Sequence, residues 1–440
     1  MLRRFDPDTA KQELLNRRLA VDVPAALVKS LERRFGEGAT PESAVASILR
    51  SVRENGDQAL RQWGRELDGV DLTDWRVPEE AIREAEEALP ADLREAFELA
   101  IHRIRRFHAL QPIPGWTTHT LGGTLGQRCT PVQSAGVYIP GGTAPLPSSV
   151  LMSAIPALVA GVPRIVLCTP PEPDAIILAA ASMLQLTEIY TLGGAQAIAA
   201  MAYGTESIKP VDKIVGAGNL FVTLAKRQVF GVVGLDGLAG PTETMVIADA
   251  SARPAWVAAD LLAQAEHDPL ATAILISDDP ALLDAVDAAI ATQLEERSRK
   301  SVIAQSLAGR SGSVLVPDLE TAAGLANDYA PEHLCLAVED AAELSTLIHS
   351  AGGIFIGERS FEVLGDYVAG PSHVMPTGGS ARYSSPLNVL DFVKLTSIIA
   401  LDNATSKRLN DAAVVMASAE GLDAHAASAR IRQEEVHDER

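Results

Sequence analysis

Glu332 and His333 stand side by side behind Pro331, in the stretch Asn327-Asp-Tyr-Ala-Pro-Glu-His-Leu334. A carboxylate beside an imidazole offers two proton-transfer groups, which would suit a reaction with two chemical stages. Pro331 disfavours helical dihedrals at Ala330, so the chain is expected to turn there, where a helical pattern gives way to an apolar strand. Loops that hold acid/base groups against a rigid sheet are frequent sites of catalysis. The plain alternative is a solvated Glu and a His that caps a strand, and the dipeptide alone does not separate the two.

Further residues could hold a metal or a nucleotide. Pro254 can start a helix carrying Gln264 and His267, whose i, i+3 spacing puts both on one face. His267, His333, His373 and His425 fall in expected loops or caps, and Asp366 follows Gly365 before a turn-rich stretch. A helix-borne Gln/His pair, a loop carboxylate and a remote His could form a four-ligand N/O site. No Cys takes part, so the set suits Zn2+ or a similar divalent ion. Spacing alone leaves open that each is an isolated surface side chain. The full G-x-G-x-x-G fingerprint is absent, but Gly216-Ala-Gly-Asn-Leu-Phe221 supplies its first two glycines. Such a turn leaves free N–H groups beside a helix N-terminus, where phosphate binds well. Gly193-Gly-Ala-Gln196 offers another, and either could be merely a tight turn between strand and helix.

Large elements must position these groups. The 440 residues are enough for two or three domains with a large core. Apolar residues make up 47% and charged residues 21%, an ordinary soluble composition. With 57 acidic against 37 basic residues the net charge is −20, which argues against nucleic acid and anionic membranes as partners. It says nothing against a small bound anion such as a dinucleotide. Cys129, Cys168 and Cys335 fit no Cys-x-x-Cys site and no disulfide framework, so buried apolar roles in a reducing compartment are expected. Arg3, Arg4, Arg17 and Arg18 mix with Asp6, Asp8 and Glu13 without an apolar core behind them, which reads as a helix rather than a targeting peptide. The most apolar stretch, 150–168, is interrupted by Pro156, Pro163 and Arg164 and predicts a buried helix followed by a strand, not a membrane span.

Residues 1–110 are charged and helical in pattern, with helices expected over 43–63, breaking at Asn55-Gly56, and over 78–107. Residues 112–130 look like a hairpin region. From about 131 the pattern alternates, with strands expected at 136–139, 164–168, 188–192 and 212–215, each ending in Gly, Pro or Thr. Such alternation implies parallel strands with right-handed crossovers, which bind ligands at their carboxyl ends. A second block follows with strands at 243–247, 273–276, 313–316, 334–338 and 353–356, so the pattern resembles an internal duplication. Residues 358–390 are loop-rich, 403–420 form a helix closed by Gly421, and the last eleven residues are charged.

Seven stretches together resemble the histidinol dehydrogenase family. They are Gly136-Val-Tyr-Ile-Pro-Gly-Gly142, Leu192-Gly-Gly-Ala-Gln-Ala-Ile-Ala-Ala-Met-Ala-Tyr-Gly-Thr205, Ala239-Gly-Pro-Thr-Glu243, Asp260-Leu-Leu-Ala-Gln-Ala-Glu-His267, Ala330-Pro-Glu-His333, Gly365-Asp-Tyr367 and His373-Val-Met-Pro-Thr377. They run in family order, and the resemblance covers about residues 30–430. It implies an α/β fold of two incomplete Rossmann-like parallel-sheet domains with small helical N- and C-terminal segments. The expected division is 1–30, an N-terminal helical segment; 31–135 with 243–387, carrying zinc and the acid/base pair; 136–242, binding NAD; and 388–440, a C-terminal helical segment completing a partner's site.

The resemblance further implies oxidation of L-histidinol to L-histidine through histidinaldehyde, with one zinc per subunit and two NAD per turnover, in histidine biosynthesis in the cytoplasm. By motif, Gln264, His267, Asp366 and His425 would hold zinc. His333 would take the alcohol proton, and Glu332 would activate water for the aldehyde stage. Thr242, His373 and Glu420 would contact substrate, together with the metal-site residues and His333. Tyr138, Gln196 and Asn219 would contact NAD. A homodimer is implied, with Glu420 and His425 coming from the partner. Neighbouring side chains of an extended segment point apart, so Glu332 and His333 are expected to serve different steps. Three rivals remain: a paralogue oxidising another small alcohol, a zinc hydrolase or lyase without NAD, and an inactive dinucleotide-binding scaffold. The last predicts missing acid/base residues, and both are present.

Overall fold

The computed structural model describes residues 2–17, 25–141 and 145–434. Arg18 of the expected N-terminal helix and Gly142 of the first strand-end turn lie outside them. The chain forms two compact units, Met1–Gln111 with Val132–Phe392, and Pro112–Pro131 with Val393–Arg440.

In chain order the described strands begin with β1 (Arg4–Phe5), β2 (Trp116–Thr118), β3 (Thr124–Pro131), β4 (Ser134–Tyr138) and β5 (Arg164–Thr169). Then come β6 (Ile189–Thr191), β7 (Lys213–Val215), β8 (Gly234–Leu235), β9 (Glu243–Ala248) and β10 (Thr272–Ser277). The last are β11 (Gly312–Leu315), β12 (His333–Ala337), β13 (Gly353–Ile356) and β14 (Val393–Ala400). All nine strands expected from the alternating pattern are present, with ends shifted by one or two residues.

Two parallel sheets form the larger unit. One has the order β6-β5-β4-β7-β8, the other β1-β11-β10-β9-β12-β13. From β4 or β9 the chain lays two strands on one side, then returns to lay two on the other. The winding is therefore the same twice, and the expected duplication is real in topology. β1 is an addition at the β11 edge, with Arg4 opposite Ser313, where a purely helical N-terminal segment was expected.

Parallel strands covered on both faces read as continuous apolar runs. β9, ETMVIA, and β10, TAILIS, are buried throughout. Their side chains alternate between two cores. Met245, Ile247, Ile274 and Ile276 face the helix Leu319–Tyr329, while Val246, Ala248, Ala273 and Leu275 face Pro254–Ala265 and Pro280–Leu294.

The helix Pro41–Trp63 corrects the expected division. Residues 31–135 were assigned to the 243–387 half. Instead the stripe Val45, Ile48, Leu49 and Val52 packs with Ile198, Ala199, Val222 and Ala225, in the core of the five-stranded sheet. An i, i+3, i+4, i+7 stripe must be buried, but its partner is not written in it. The break expected at Asn55-Gly56 is present as φ 50 at Gly56, where the Asp57 N–H donates to the Glu206 carboxylate at 2.8 Å. The helix expected over 78–107 is two, Glu79–Glu87 and Ala91–Ala109. Pro90 separates them, because its ring disfavours helical dihedrals at the residue before it.

The smaller unit is an antiparallel sheet, β14-β3-β2, with the helices Asn403–Ala419 and Asp423–Glu434. The expected 112–130 hairpin is there. The expectation of a wholly helical 388–440 is corrected by β14, whose VKLTSIIA run is rich in β-branched residues. Gly421 closes the first helix with φ 73, as expected. Among the described residues no helix is long and apolar enough to cross a membrane.

Candidate active site

Two edges of the larger unit collect the residues singled out above. The first is the carboxyl end of the five-stranded sheet. β4 lies between β5 and β7, so the chain reverses direction there and opens a crevice between the ends of β4 and β7. Tyr138 ends β4. Gly216 follows β7 with φ 106, and a Cβ on it would clash with the Tyr138 carbonyl oxygen. Only glycine tolerates both conditions. Both backbone groups of Gly216 are held. Its N–H donates to Asp236 Oδ2 at 2.8 Å, and its carbonyl accepts from Lys226 Nζ at 2.7 Å. Lys226 also donates to Asp236 Oδ1 at 2.6 Å, and both side chains are buried.

Asn219 caps the helix Leu220–Val229, its Oδ1 accepting from the N–H groups of Phe221 and Val222 at 3.0 and 3.2 Å. Gly194 opens the helix Gly194–Tyr203 and donates its N–H to Tyr138 Oη at 3.0 Å. Burial pushes the Tyr138 phenol up to about 12, so it stays neutral. Gln196 is buried, donates to Asp68 Oδ2 at 3.0 Å, and has no partner for its own oxygen. Tyr138, Gln196 and Asn219 thus share one sheet edge, beside two helix N-termini.

The second edge is the amino end of the six-stranded sheet. The helix Leu319–Tyr329 ends in Ala330 at φ 52, a left-handed conformation forced just before Pro331. The turn expected there exists, and it delivers Glu332 and His333 to the start of β12. They are 7% and 4% exposed, which excludes a solvated strand cap. β12 lies beside β9, with His333 opposite Thr244, so Thr242 and Glu243 face the pair.

Hydrogen-bond direction fixes three side chains in turn. Thr242 Oγ1 donates to Glu332 Oε2 at 2.6 Å. With its proton committed, that hydroxyl accepts from Gln264 Nε2 at 2.9 Å. The amide oxygen of Gln264 is therefore left over, fully buried and without a partner. Glu332 Oε2 also accepts from the Glu243 N–H at 3.0 Å.

His333 Nδ1 lies 3.1 Å from the Glu243 carbonyl oxygen. A carbonyl only accepts, so Nδ1 carries the proton and Nε2 is the basic nitrogen of the neutral ring. Nε2 has no hydrogen-bond partner and lies 3.8 Å from Asp366 Oδ1. The expectation that Glu332 and His333 diverge is corrected, because Glu332 Oε2 curls to 3.7 Å from His333 Nδ1.

Charge and burial shift several ionisable groups here. Burial raises Glu332 to about 7, against the opposing pull of His333 and the Thr242 hydrogen bond. For His333 burial works downward, but Glu362, Glu332 and Asp366 outweigh it and raise its pKa. Burial lifts Asp366 to about 6 and lowers His373 to about 4. His267 is exposed, yet desolvation by the surrounding protein and then His333 hold it below its ordinary value.

Gln264 sits in the last turn of Pro254–Ala265, while His267 lies just beyond it, its N–H bonded to the Gln264 carbonyl at 3.3 Å. His267 was expected on the helix itself. Asp366, expected in a loop, belongs to the short helix Glu362–Tyr367. Its carbonyl accepts from His373 Nδ1 at 2.9 Å, which leaves His373 Nε2 as an acceptor. An unpartnered amide oxygen, an imidazole and a carboxylate around His333 form a set of N/O donors that fits a divalent ion. Glu420 and His425 are exposed residues of the smaller unit. Among the described residues no three His, Cys, Asp or Glu side chains are grouped to hold a metal.

Sequence reasoning missed several residues of both edges. Glu362 is buried with an oxygen 4.0 Å from His333 Nδ1. Its i, i+4 spacing from Asp366 was the available signal. Glu243 closes the family-like stretch 239–243 but was given no role, and nothing local marked Asp68, Lys226 or Asp236.

A family model described as histidinol dehydrogenase matches residues 32–433. The histidinol dehydrogenase of Deinococcus radiodurans is 49% identical over 418 residues, which is 94% of this chain and 95% of that protein. That of Thermus thermophilus is 48% identical over 394 residues, 90% of this chain and 95% of the relative. Among solved structures, histidinol dehydrogenase from Elizabethkingia anophelis is similar with a TM-score of 0.90 at 34% identity, covering 99% of both chains. An acetylating aldehyde dehydrogenase from Geobacillus thermoglucosidasius, 14% identical with a TM-score of 0.50 over 85% of this chain and 95% of that one, shares the fold alone. The family match spans most of the chain, and relatives align with it almost end to end at close to half identity: the chain belongs to the histidinol dehydrogenase family.

Proposed function

We propose that this chain oxidises L-histidinol to L-histidine through histidinaldehyde, with two NAD+ reduced per turnover, in histidine biosynthesis. The observation that carries this reading is the ordered run from Gln264 through Thr242 to Glu332, beside a His333 whose Nε2 is free. It supplies two distinct bases in one buried place.

In the first stage His333 Nε2 takes the alcohol proton as the carbinol hydrogen leaves as hydride. In the second, Glu332 takes a proton from the water that adds to the aldehyde, and the hydrate loses a second hydride to become the acid. A carboxylate with pKa near 7 is matched to that task at neutral pH. No thiolate is needed, and burial pushes Cys168 up to about 12 and Cys335 well above its ordinary value.

Gln264 Oε1, His267 and Asp366 are the groups of the larger unit that would hold zinc. Zinc there supplies positive charge that orients the substrate's amine and imidazole and offsets the carboxylates around His333. Tyr138, Gln196 and Asn219, with the turns 193–194 and 216–219, would hold NAD+, the hydride acceptor. Thr242 and His373 are assigned as substrate contacts, although the Thr242 hydroxyl is already committed to Gln264 and Glu332.

The decisive experiment is turnover by purified protein. Two NADH should form per histidinol consumed, and zinc removal should abolish the reaction reversibly. No oxidation of histidinol by the zinc-loaded protein sinks the reading. Glu420 and His425 are assigned to the site of a second copy in a homodimer. Mixing inactive His425→Ala and His267→Ala chains should then restore partial activity, since one of the two mixed sites carries neither lesion. Verified heterodimers without recovery would refute shared sites.

A further inference from the structure

Arg17 reaches the acid/base pair from behind. Its side chain is 22% exposed and belongs to the N-terminal segment, upstream of residue 32 where the family match begins. The guanidinium holds both oxygens of the Glu243 carboxylate, with Nη1 on Oε1 and Nη2 on Oε2, the latter at 2.7 Å. Its Nε donates to the Tyr329 carbonyl at 2.9 Å, and Nη2 also reaches the Ala330 carbonyl at 3.4 Å. The guanidinium carbon lies 3.7 Å from the centre of the Tyr329 ring. A planar fork of donors suits such a combined bidentate, carbonyl and stacking contact, and a lysine cannot reproduce it.

The partners of Arg17 matter because of what they hold. Glu243 presents its N–H to Glu332 and its carbonyl to His333 Nδ1. One residue thus orients both groups, fixing the carboxylate and the imidazole tautomer. Tyr329 and Ala330 lead directly into Pro331-Glu332-His333, and Ala330 is held in a left-handed conformation that costs a non-glycine residue energy. The Glu243 carboxylate is also nearly buried, with Gly378 N–H as its other contact at 3.2 Å. Without Arg17 it would be a buried charge with no ion-pair partner among the described residues.

We propose that Arg17 is a positioning residue for the oxidation, bracing the backbone of Glu243 and of residues 329–330 so that Glu332 and His333 keep their working geometry. This rests on the reading of Glu332 and His333 as the proton-transfer pair. Small displacements of such groups cost on the order of 10²-fold in rate. Arg17→Ala should therefore lower kcat by about that factor while KM for histidinol and NAD+ is unchanged. Millimolar guanidinium should restore much of the loss, and Arg17→Lys only part of it. Glu243→Gln should lower kcat similarly, and the double variant should be no worse than the weaker single, because both act on one brace.

Full kcat in Arg17→Ala, strictly additive losses, or a loss that tracks melting temperature without guanidinium rescue would each overturn the brace. A parent chain that leaves histidinol untouched refutes the reading of the site instead. The brace is then judged by the rate at which diethyl pyrocarbonate modifies His333, expected to rise in Arg17→Ala and, if unchanged, refuting it.

Discussion

The two parallel sheets are wound alike but used at opposite edges. The five-stranded sheet offers its carboxyl end, where crossover helices begin. The N-termini of Gly194–Tyr203 and Leu220–Val229 bring partial positive charge to that edge, which favours an anionic pyrophosphate. The six-stranded sheet offers its amino end, where crossover helices finish. Gln264 and Asp366 sit in last turns, and the pair at 332–333 follows a helix C-terminus. Partial negative charge there favours a cation. At the carboxyl end of the second sheet Asp249, just past β9, accepts from the N–H groups of Ser251 and Glu339 at 2.9 and 3.0 Å and so ties the ends of β9 and β12 together. One winding can thus serve two ligands of opposite charge, depending on which edge the loops leave open.

This contrast can be broken or sharpened at each edge. The largest effect is expected at the amino edge. Glu332→Gln should slow the aldehyde stage by roughly 10²–10⁴-fold, the usual worth of a general base, and spare the first oxidation. Because burial holds Glu332 near 7, well above the ordinary carboxylate value, its basic form appears only as pH rises through about 7. The aldehyde-stage rate should climb through that window in the parent and lose the rise in the variant. Loss of the first oxidation with the second intact would reverse the assignment. A smaller effect is expected at the carboxyl edge. Asn219→Asp preserves the helix cap and should leave the melting temperature unchanged, while its charge should weaken NAD+ by about tenfold, or ~1.4 kcal/mol. Unchanged NAD+ affinity would remove Asn219 from the coenzyme's surroundings.

The strands were readable because parallel strands buried on both faces are uninterrupted apolar runs between Gly and Pro turns. The packing partner of Pro41–Trp63 was not, since a stripe states that it is buried and not by what. β14 was missed because its partner β3 lies far away in sequence. At the site, adjacency exposed Glu332-His333, and the family resemblance assigned its role. The ordered bonds from Gln264 to Glu332 depend on the β9–β12 register, and Arg17 on a long-range contact, so neither leaves a local mark. Glu362 did leave one, one turn before Asp366.

The edge strand β1 carries a consequence for assembly. Arg4 and Phe5 pair with Ser313 and Val314, which are made long after them. As synthesis proceeds from the N-terminus, β1 waits for its partner β11 to emerge. The same delay applies to Arg17, whose contacts at Glu243, Tyr329 and Ala330 emerge from the ribosome long after it. Pairings so distant in sequence are slow to close. The acid/base centre is therefore expected to be completed late in folding, when the segment around Arg17 meets partners made long after it.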